Sequence, residues 1–244
     1  MYRALLFDLY DTVVLFQRHV PRLNVPGAQW RSTMGWLRDT VATELPGVSM
    51  EDFVAAITAT TIEIRARPPD YFELPSRERF RRTLVRLGVA EDAAVTKAQR
   101  LSQVHMRHLA DLTELPAEHG DLLRRLRRRY PLGLVSNFDH APTARAILAR
   151  DGLAELFRSV VISDEFGRRK PHPAIFNQAL QQLAVAPAEA IFIGDSVIDD
   201  VGGASAVGMD TIWINPHDTA LPDGSARPTH TVQRLIDIEA LIER

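Results

Sequence analysis

The stretch Ala4-Leu-Leu-Phe-Asp8-Leu-Tyr10-Asp11-Thr12 decides how the rest of the chain is read. Its apolar residues run on without polar alternation and close on a carboxylate. Such a run suits a strand covered on both faces of a parallel sheet. Runs of the same character recur at 132–136, 159–163, 190–194 and 211–215. Helical spacing fills the intervals, at 117–129, 141–150, 173–183 and 199–207. Strands alternating with helices predict an α/β fold with a doubly wound, mainly parallel, Rossmann-like sheet.

Residues 16–111 read differently. Helical spacing covers 30–43, 50–66, 77–88 and 91–112, and no strand pattern is evident. Ser49 and Ser76 stand where helix N-caps belong. Pro68-Pro69 and Glu44-Leu-Pro46-Gly47 interrupt the helices. The expectation is an all-helical cap at 16–111, inserted into a core of 1–15 and 112–244. Trp30, Trp36 and Leu37 share helical spacing and read as packing inside that cap. There is no internal repeat and no low-complexity tract.

Composition narrows the function classes. The chain has 244 residues, 45% hydrophobic and 25% charged, with 29 basic and 31 acidic side chains and a net charge of −2. Nucleic-acid binding needs a basic excess to displace phosphate counterions, so a general nucleic-acid partner is not expected. The arginine run within 124–130 reads as the solvated face of a helix whose stripe is Leu122, Leu123 and Leu126. The absence of cysteine excludes disulfides, thiolate–zinc sites and thiol nucleophiles. No apolar run approaches the roughly 20 residues that span a bilayer, and Asp8 interrupts the first apolar stretch too early for a signal peptide. A cytoplasmic globular protein without a membrane partner is expected; its oligomeric state is not readable.

In open parallel sheets the ligand crevice lies beyond the carboxyl ends of the strands. There the first run ends in Asp8 and the second in Ser136-Asn137-Phe138-Asp139. The third runs into Ser163-Asp164-Glu165 and then Lys170, and the fourth into Gly194-Asp195-Ser196 with Asp199-Asp200 just beyond. Carboxylates crowded at one edge repel one another unless a cation sits among them. Oxygen-only donors suit Mg²⁺, which commonly keeps waters and meets a phosphate. Lys170 is one of only two lysines among the 29 basic residues and directly follows Arg168-Arg169. A compact ammonium is used where a guanidinium fork was at hand. His140 and His172 flank these motifs; they read as turn histidines bonded to backbone, with proton donation the functional alternative.

These residues identify a resemblance. Asp8-Leu-Tyr-Asp-Thr12, Leu134-Val-Ser136-Asn137, Lys170-Pro171-His-Pro173 and Gly194-Asp195-Ser-Val-Ile-Asp-Asp200 resemble, in order, the four motifs of the haloacid dehalogenase-like hydrolase superfamily. The likeness covers the whole chain, strongly in the core and weakly in the cap. It implies an enzyme in which Asp8 is the nucleophile and forms a covalent aspartyl intermediate. Ser136 and the Asn137 amide would bind the oxygens of the transferring group, and Lys170 would neutralise nucleophile and substrate. Asp195 and Asp200 would hold Mg²⁺ with Asp8 and the backbone carbonyl of Tyr10, while Thr12 would fix the loop. A small, anionic substrate is implied, most simply a phosphorylated metabolite hydrolysed by a Mg²⁺-dependent phosphatase.

One departure divides the possibilities. Superfamily phosphatases carry a second aspartate two residues after the nucleophile, as general acid; here that residue is Tyr10. Tyrosine there is similar to the metal-independent 2-haloacid dehalogenases, whose halide leaves without a proton. The Gly194-Asp195 and Asp200 motif points the other way, since those dehalogenases abandon the metal at that place. They also have a tyrosine where this chain has Phe176. Arg18, Arg22 or Arg38 of the cap would suit either anion. A weakened scaffold that binds phosphate ligands without turnover is a third possibility. Gly202-Gly203-Ala204 follows the carboxylates within a helix, so it reads as close packing against the sheet and not as a nucleotide fingerprint.

Overall fold

A computed structural model describes residues 2–17, 22–25, 28–31, 33–65 and 70–242. The chain divides into two compact units: Met1–Phe16 with Asp70–Glu73 and Glu114–Arg244, and Gln17–Pro69 with Leu74–Thr113. The first contains six parallel strands: β1 Ala4–Phe7, β2 Leu132–Ser136, β3 Phe157–Ile162, β4 Ala190–Gly194, β5 Asp210–Ile214 and β6 His230–Val232. Their order across the sheet is β6-β5-β4-β1-β2-β3. The chain winds outward from β1 through β2 and β3, then returns to β4 on the other side. The strand order therefore reverses beside β1, where a doubly wound sheet opens its crevice.

Burial explains why β1 and β4 are apolar throughout and β2 is apolar up to Ser136: every residue in them is buried. Pairing sets Phe7 against Ile193 of β4 and Leu134 of β2. The strand ends therefore lie level, and the Asp8 amide donates to the Ile193 carbonyl at 2.9 Å. On one face of the sheet the helix Pro173–Leu183 presents Phe176 edge-on to Phe192, with ring centroids 5.2 Å apart. Gly203 packs against the same helix: a Cβ there would lie 2.6 Å from the Phe176 ring and 2.9 Å from Pro171 Cα. Gly203 thus admits Phe176 and Pro171. β6 was not visible in the sequence, because three half-exposed residues carry no period.

The second unit is mainly helical. Arg38–Glu44, Met50–Arg65, Ser76–Arg86 and Glu91–Asp111 enclose a core that includes Leu37, Phe53, Phe80, Leu84 and Leu101. Ser49 caps its helix as expected, accepting the Asp52 amide at 3.0 Å. Ser76 does not: it is the first helical residue, and its hydroxyl lies 2.6 Å from that of Ser102. A tertiary hydrogen bond has taken the place of the local cap.

The strand-free reading of 16–111 is also corrected. Arg22–Val25 and Ala28–Arg31 form a two-stranded antiparallel hairpin in which Trp30 pairs with Leu23. Pro26-Gly27 between them is a turn signal that the helical spacing obscured. Trp36 precedes the helix Arg38–Glu44 and stacks on His108 at 5.4 Å. Arg18 lies outside the described residues, as does the side chain of Arg22; Arg38 is exposed.

Candidate active site

β1 hands over directly to Asp8 and β4 to Asp195, so adjacent strands deliver two carboxylates to one edge. A π-helical turn, Val197–Gly202, returns the chain and brings in Asp200. Such turns recur at functional sites because the extra residue redirects a side chain. Asp8, Asp195 and Asp200 each offer an oxygen within 4.8 Å of the others. Lys170 Nζ donates to Asp8 Oδ1 at 2.5 Å and to Asp200 Oδ1 at 2.6 Å. The second Asp200 oxygen accepts the Ser196 amide at 2.9 Å. The lysine is 2% exposed, with its ammonium 5.3 Å from the Phe192 ring centroid.

Three carboxylates, two buried and Asp195 half-buried, face one ammonium and leave a negative excess. Burial, with Asp200 and Asp195 adding to it, pushes Asp8 up to about 8 against the pull of Lys170. Asp195 is pushed up to about 7 by burial, then by Asp200 and Asp11. Burial opposes the charge on Lys170, but Asp200 and Asp8 outweigh it and hold the ammonium above the ordinary lysine range. A hard divalent cation would relieve the excess, and an all-oxygen donor set is what Mg²⁺ takes. The residues present therefore fit that ion.

Ser136 and Asn137 lie at the end of β2. Ser136 Oγ is buried and has no hydrogen-bond partner among the described residues, as a donor awaiting an oxyanion would be. The Asn137 side chain is committed elsewhere. Its Oδ1 accepts the Lys170 amide at 2.7 Å and its Nδ2 donates to the Lys170 carbonyl at 3.1 Å. Only the backbone amide of Asn137 is left for a substrate. The lysine's backbone is thus held on both polar groups by a residue that the sequence marked for another role.

The loop after β1 closes without the Thr12 hydroxyl, which is buried and makes no hydrogen bond among the described residues. Instead the Leu9 carbonyl accepts the amides of Val13 and Val14, each at 2.9 Å. Tyr10 is packed between aromatic rings, 5.0 Å from Phe16 and 4.6 Å from Phe138. Its hydroxyl is buried and makes no hydrogen bond among the described residues. Burial, with Asp8 and Asp139 adding to it, holds the phenol above its ordinary range.

Several strand-end residues have structural employment. Asp164 Oδ2 accepts the Ala141 amide at 2.8 Å, and Glu165 pairs with Arg145 at 2.6 Å. His172 Nδ1 accepts the Ala174 amide at 3.1 Å and caps its helix, while His140 Nδ1 lies 2.9 Å from Thr143 Oγ1. Gly194 carries a signal of its own, since a glycine closing an apolar strand marks a close approach. A Cβ there would lie 2.3 Å from Asp200 Oδ2.

Comparison with known proteins agrees with this geometry. Residues 2–208 match the haloacid dehalogenase-like hydrolase family. Glyceraldehyde 3-phosphate phosphatase of Pyrococcus furiosus is 38% identical over 109 residues, 45% of each chain. Pyrimidine 5'-nucleotidase YjjG of Escherichia coli is 32% identical over 145 residues, 59% of this chain and 63% of that one. These alignments thus cover about half of the first relative and under two thirds of the second. A crystal structure of 2-haloacid dehalogenase from Pseudomonas syringae superposes with a TM-score of 0.74 at 24% identity, covering 100% and 99% of the two chains, a likeness of fold. With the family match running through both β1 and the β4 carboxylates, this chain belongs to the haloacid dehalogenase-like hydrolases.

Proposed function

We propose that this hydrolase is a Mg²⁺-dependent phosphatase of small, anionic phosphate monoesters, with Asp8 as its nucleophile. The observation that carries the reading is the convergence of Asp8, Asp195 and Asp200 around Lys170 at the strand switch point. Relatives named as a glyceraldehyde 3-phosphate phosphatase and a pyrimidine 5'-nucleotidase support it. A cytoplasmic setting is part of the proposal; separately, no helix among the described residues is long and apolar enough to cross a membrane.

In this reading an Asp8 carboxylate oxygen attacks phosphorus and the ester P–O bond breaks. The leaving oxygen departs with the bonding pair and takes a proton from water. Water then attacks the aspartyl phosphate, releasing inorganic phosphate and restoring the carboxylate. Lys170 stays charged throughout, orients Asp8 and pulls its carboxyl toward the ionised form against burial. Ser136 Oγ and the Asn137 amide donate to the non-bridging oxygens, where charge must be held as the group transfers. Asp195, Asp200 and Asp8 would hold Mg²⁺, which supplies charge neutralisation at the transferring phosphoryl group when bound.

Tyr10 favours a second reading, a 2-haloacid dehalogenase, since a phenol held above its ordinary range is a poor acid and halide needs none. One matrix separates the two: p-nitrophenyl phosphate, alkyl phosphates and 2-chloropropionate, each with Mg²⁺ and with EDTA. Phosphate release with Mg²⁺ and its loss in EDTA is expected. Chloride release that survives EDTA would replace the proposal with the dehalogenase. Silence on every substrate with Mg²⁺ still bound would favour a phosphate-ligand binding protein over either enzyme.

A further inference from the structure

The four residues Asp70–Glu73 lie inside the inserted segment by sequence, yet they belong to the hydrolase core by contact. They run antiparallel to the segment leading to Lys170, with Phe72 opposite Arg168. Two backbone hydrogen bonds flank that pair: Arg169 N–H to the Tyr71 carbonyl at 2.8 Å and Glu73 N–H to the Gly167 carbonyl at 3.2 Å. The Arg168 guanidinium lies 4.1 Å from the Phe72 ring centroid and also donates to the Asp70 carbonyl. Tyr71 is held at φ +52° and Gly167 at +82°. A bulky residue in the left-handed region persists only where its surroundings over-determine it.

Glu73 extends this attachment inward. Its Oε2 accepts from Ser163 Oγ at 2.7 Å, and Ser163 Oγ in turn accepts the Phe138 amide at 2.8 Å. Ser163 is fully buried. Phe138 follows Asn137, whose side chain brackets the backbone of Lys170, and its ring packs on Tyr10. One carboxylate therefore ties together the two loops that carry Lys170 and the Ser136-Asn137 pair.

We infer that Asp70–Glu73 is a strap that sets the Lys170 loop, and that Glu73 is a positioning residue acting through Ser163 and Phe138. The physical need is geometric. A lysine stem has four rotatable carbons, and its ammonium has to meet Asp8, at 2.5 Å, and Asp200, at 2.6 Å, together. That demands a fixed backbone, since displacing a reacting group by about 1 Å costs up to ~10²-fold in rate. Asn137 holds the Lys170 peptide unit itself; the strap holds the three residues before it. The inference deepens the phosphatase reading and rests on it for its kinetic part.

The test compares full-length wild type, Glu73→Ala and Glu73→Gln in two measurements. The first is amide hydrogen exchange of the peptide spanning 164–172, which needs no substrate. Exchange there is expected to accelerate in Glu73→Ala, while β1 and β4 peptides keep wild-type protection. The second is Mg²⁺-supported hydrolysis of p-nitrophenyl phosphate. Here kcat is expected to fall ~10-fold or more with KM changed less than ~2-fold, because the loop orients chemistry more than it binds substrate. Glu73→Gln keeps an acceptor for Ser163 and is expected to restore both. Wild-type exchange in Glu73→Ala overturns the strap, and faster exchange with unchanged kcat overturns its positioning role. A wild type silent on the phosphate ester refutes the phosphatase reading instead, and the exchange measurement still decides the strap.

Discussion

Asp200 occupies the space that a side chain on Gly194 would need: a Cβ there would lie 2.3 Å from Oδ2, 2.4 Å from Cγ and 2.7 Å from the Asp200 Cβ. The strand cannot give way, because β4 pairs with both β1 and β5. Gly194→Ala is therefore expected to push the carboxylate out of the cluster. Mg²⁺ affinity should fall ~10–100-fold, as for other losses of ligand orientation, with stability reduced by ~1–3 kcal/mol for overpacking. Calorimetric titration with Mg²⁺ and thermal unfolding measure the two effects. Unchanged Mg²⁺ affinity would remove Asp200 from the metal site.

Asp8→Asn should separate function from stability. Turnover is expected to disappear, because an amide is no nucleophile toward phosphorus. The melting temperature should hold or rise, because one of three mutually repelling carboxylates is gone. Retention of more than a few per cent of wild-type kcat would take the nucleophilic role from Asp8.

Lys170→Arg keeps the charge and loses the shape. The lysine lies fully enclosed between Asp8, Asp200 and the Phe192 ring, where a planar five-donor fork cannot place one nitrogen against both oxygens. A kcat loss of ~10²-fold or more is expected, on the scale of a misplaced catalytic group. Wild-type kinetics in this variant would show that charge alone suffices.

Tyr10→Phe is expected to be nearly silent. The hydroxyl has no hydrogen-bond partner among the described residues, and the ring keeps its packing between Phe16 and Phe138. Hydrolysis of alkyl phosphates should stay within ~2-fold of wild type, since a phenol above pKa ~10 gives little general-acid assistance. A large loss on alkyl phosphates but not on p-nitrophenyl phosphate would make Tyr10 the proton donor. The aromatic packing also argues that Tyr10→Asp would leave a cavity beside any acid it introduced.

His105 gives the second unit a pH dependence. Burial, with Arg79 and His108 adding to it, lowers this histidine to about 3; its Nε2 lies 2.8 Å from Thr33 Oγ1. Between the unfolded value near 6.5 and that folded value, the unfolded chain binds the extra proton. Stability is therefore complete above pH ~6.5 and lost as pH falls, by about 2 kcal/mol at pH 5. Urea unfolding at pH 7 and pH 5 should show this loss in wild type and a smaller one in His105→Leu. Equal losses in both would exclude His105 as the source.

How much of this was legible in the chain depends on whether the cause was local. The strands β1, β2 and β4 could be read because complete burial demands an unbroken apolar run. Asp8, Ser136, Lys170, Asp195 and Asp200 could be read because each directly follows such a run or recurs in a motif of fixed spacing. The hairpin at Arg22–Arg31 and the edge strand β6 could not, since four- and three-residue strands carry too few positions to show a period.

Residue order alone thus determined the α/β alternation, the edge of the sheet where chemistry collects and the residue types gathered there. Only the tertiary structure decided what each polar group does once it arrives. The Asn137 side chain bonded the Lys170 backbone, Asp164 took the Ala141 amide, and Ser76 bonded Ser102 across the second unit. Glu73 reached from the insertion into the core, and Gly194 made room for Asp200. The reason is physical: burial period is a property of neighbours along the chain, whereas a hydrogen-bond partner is whichever group the fold brings within 3 Å, often from far away in sequence.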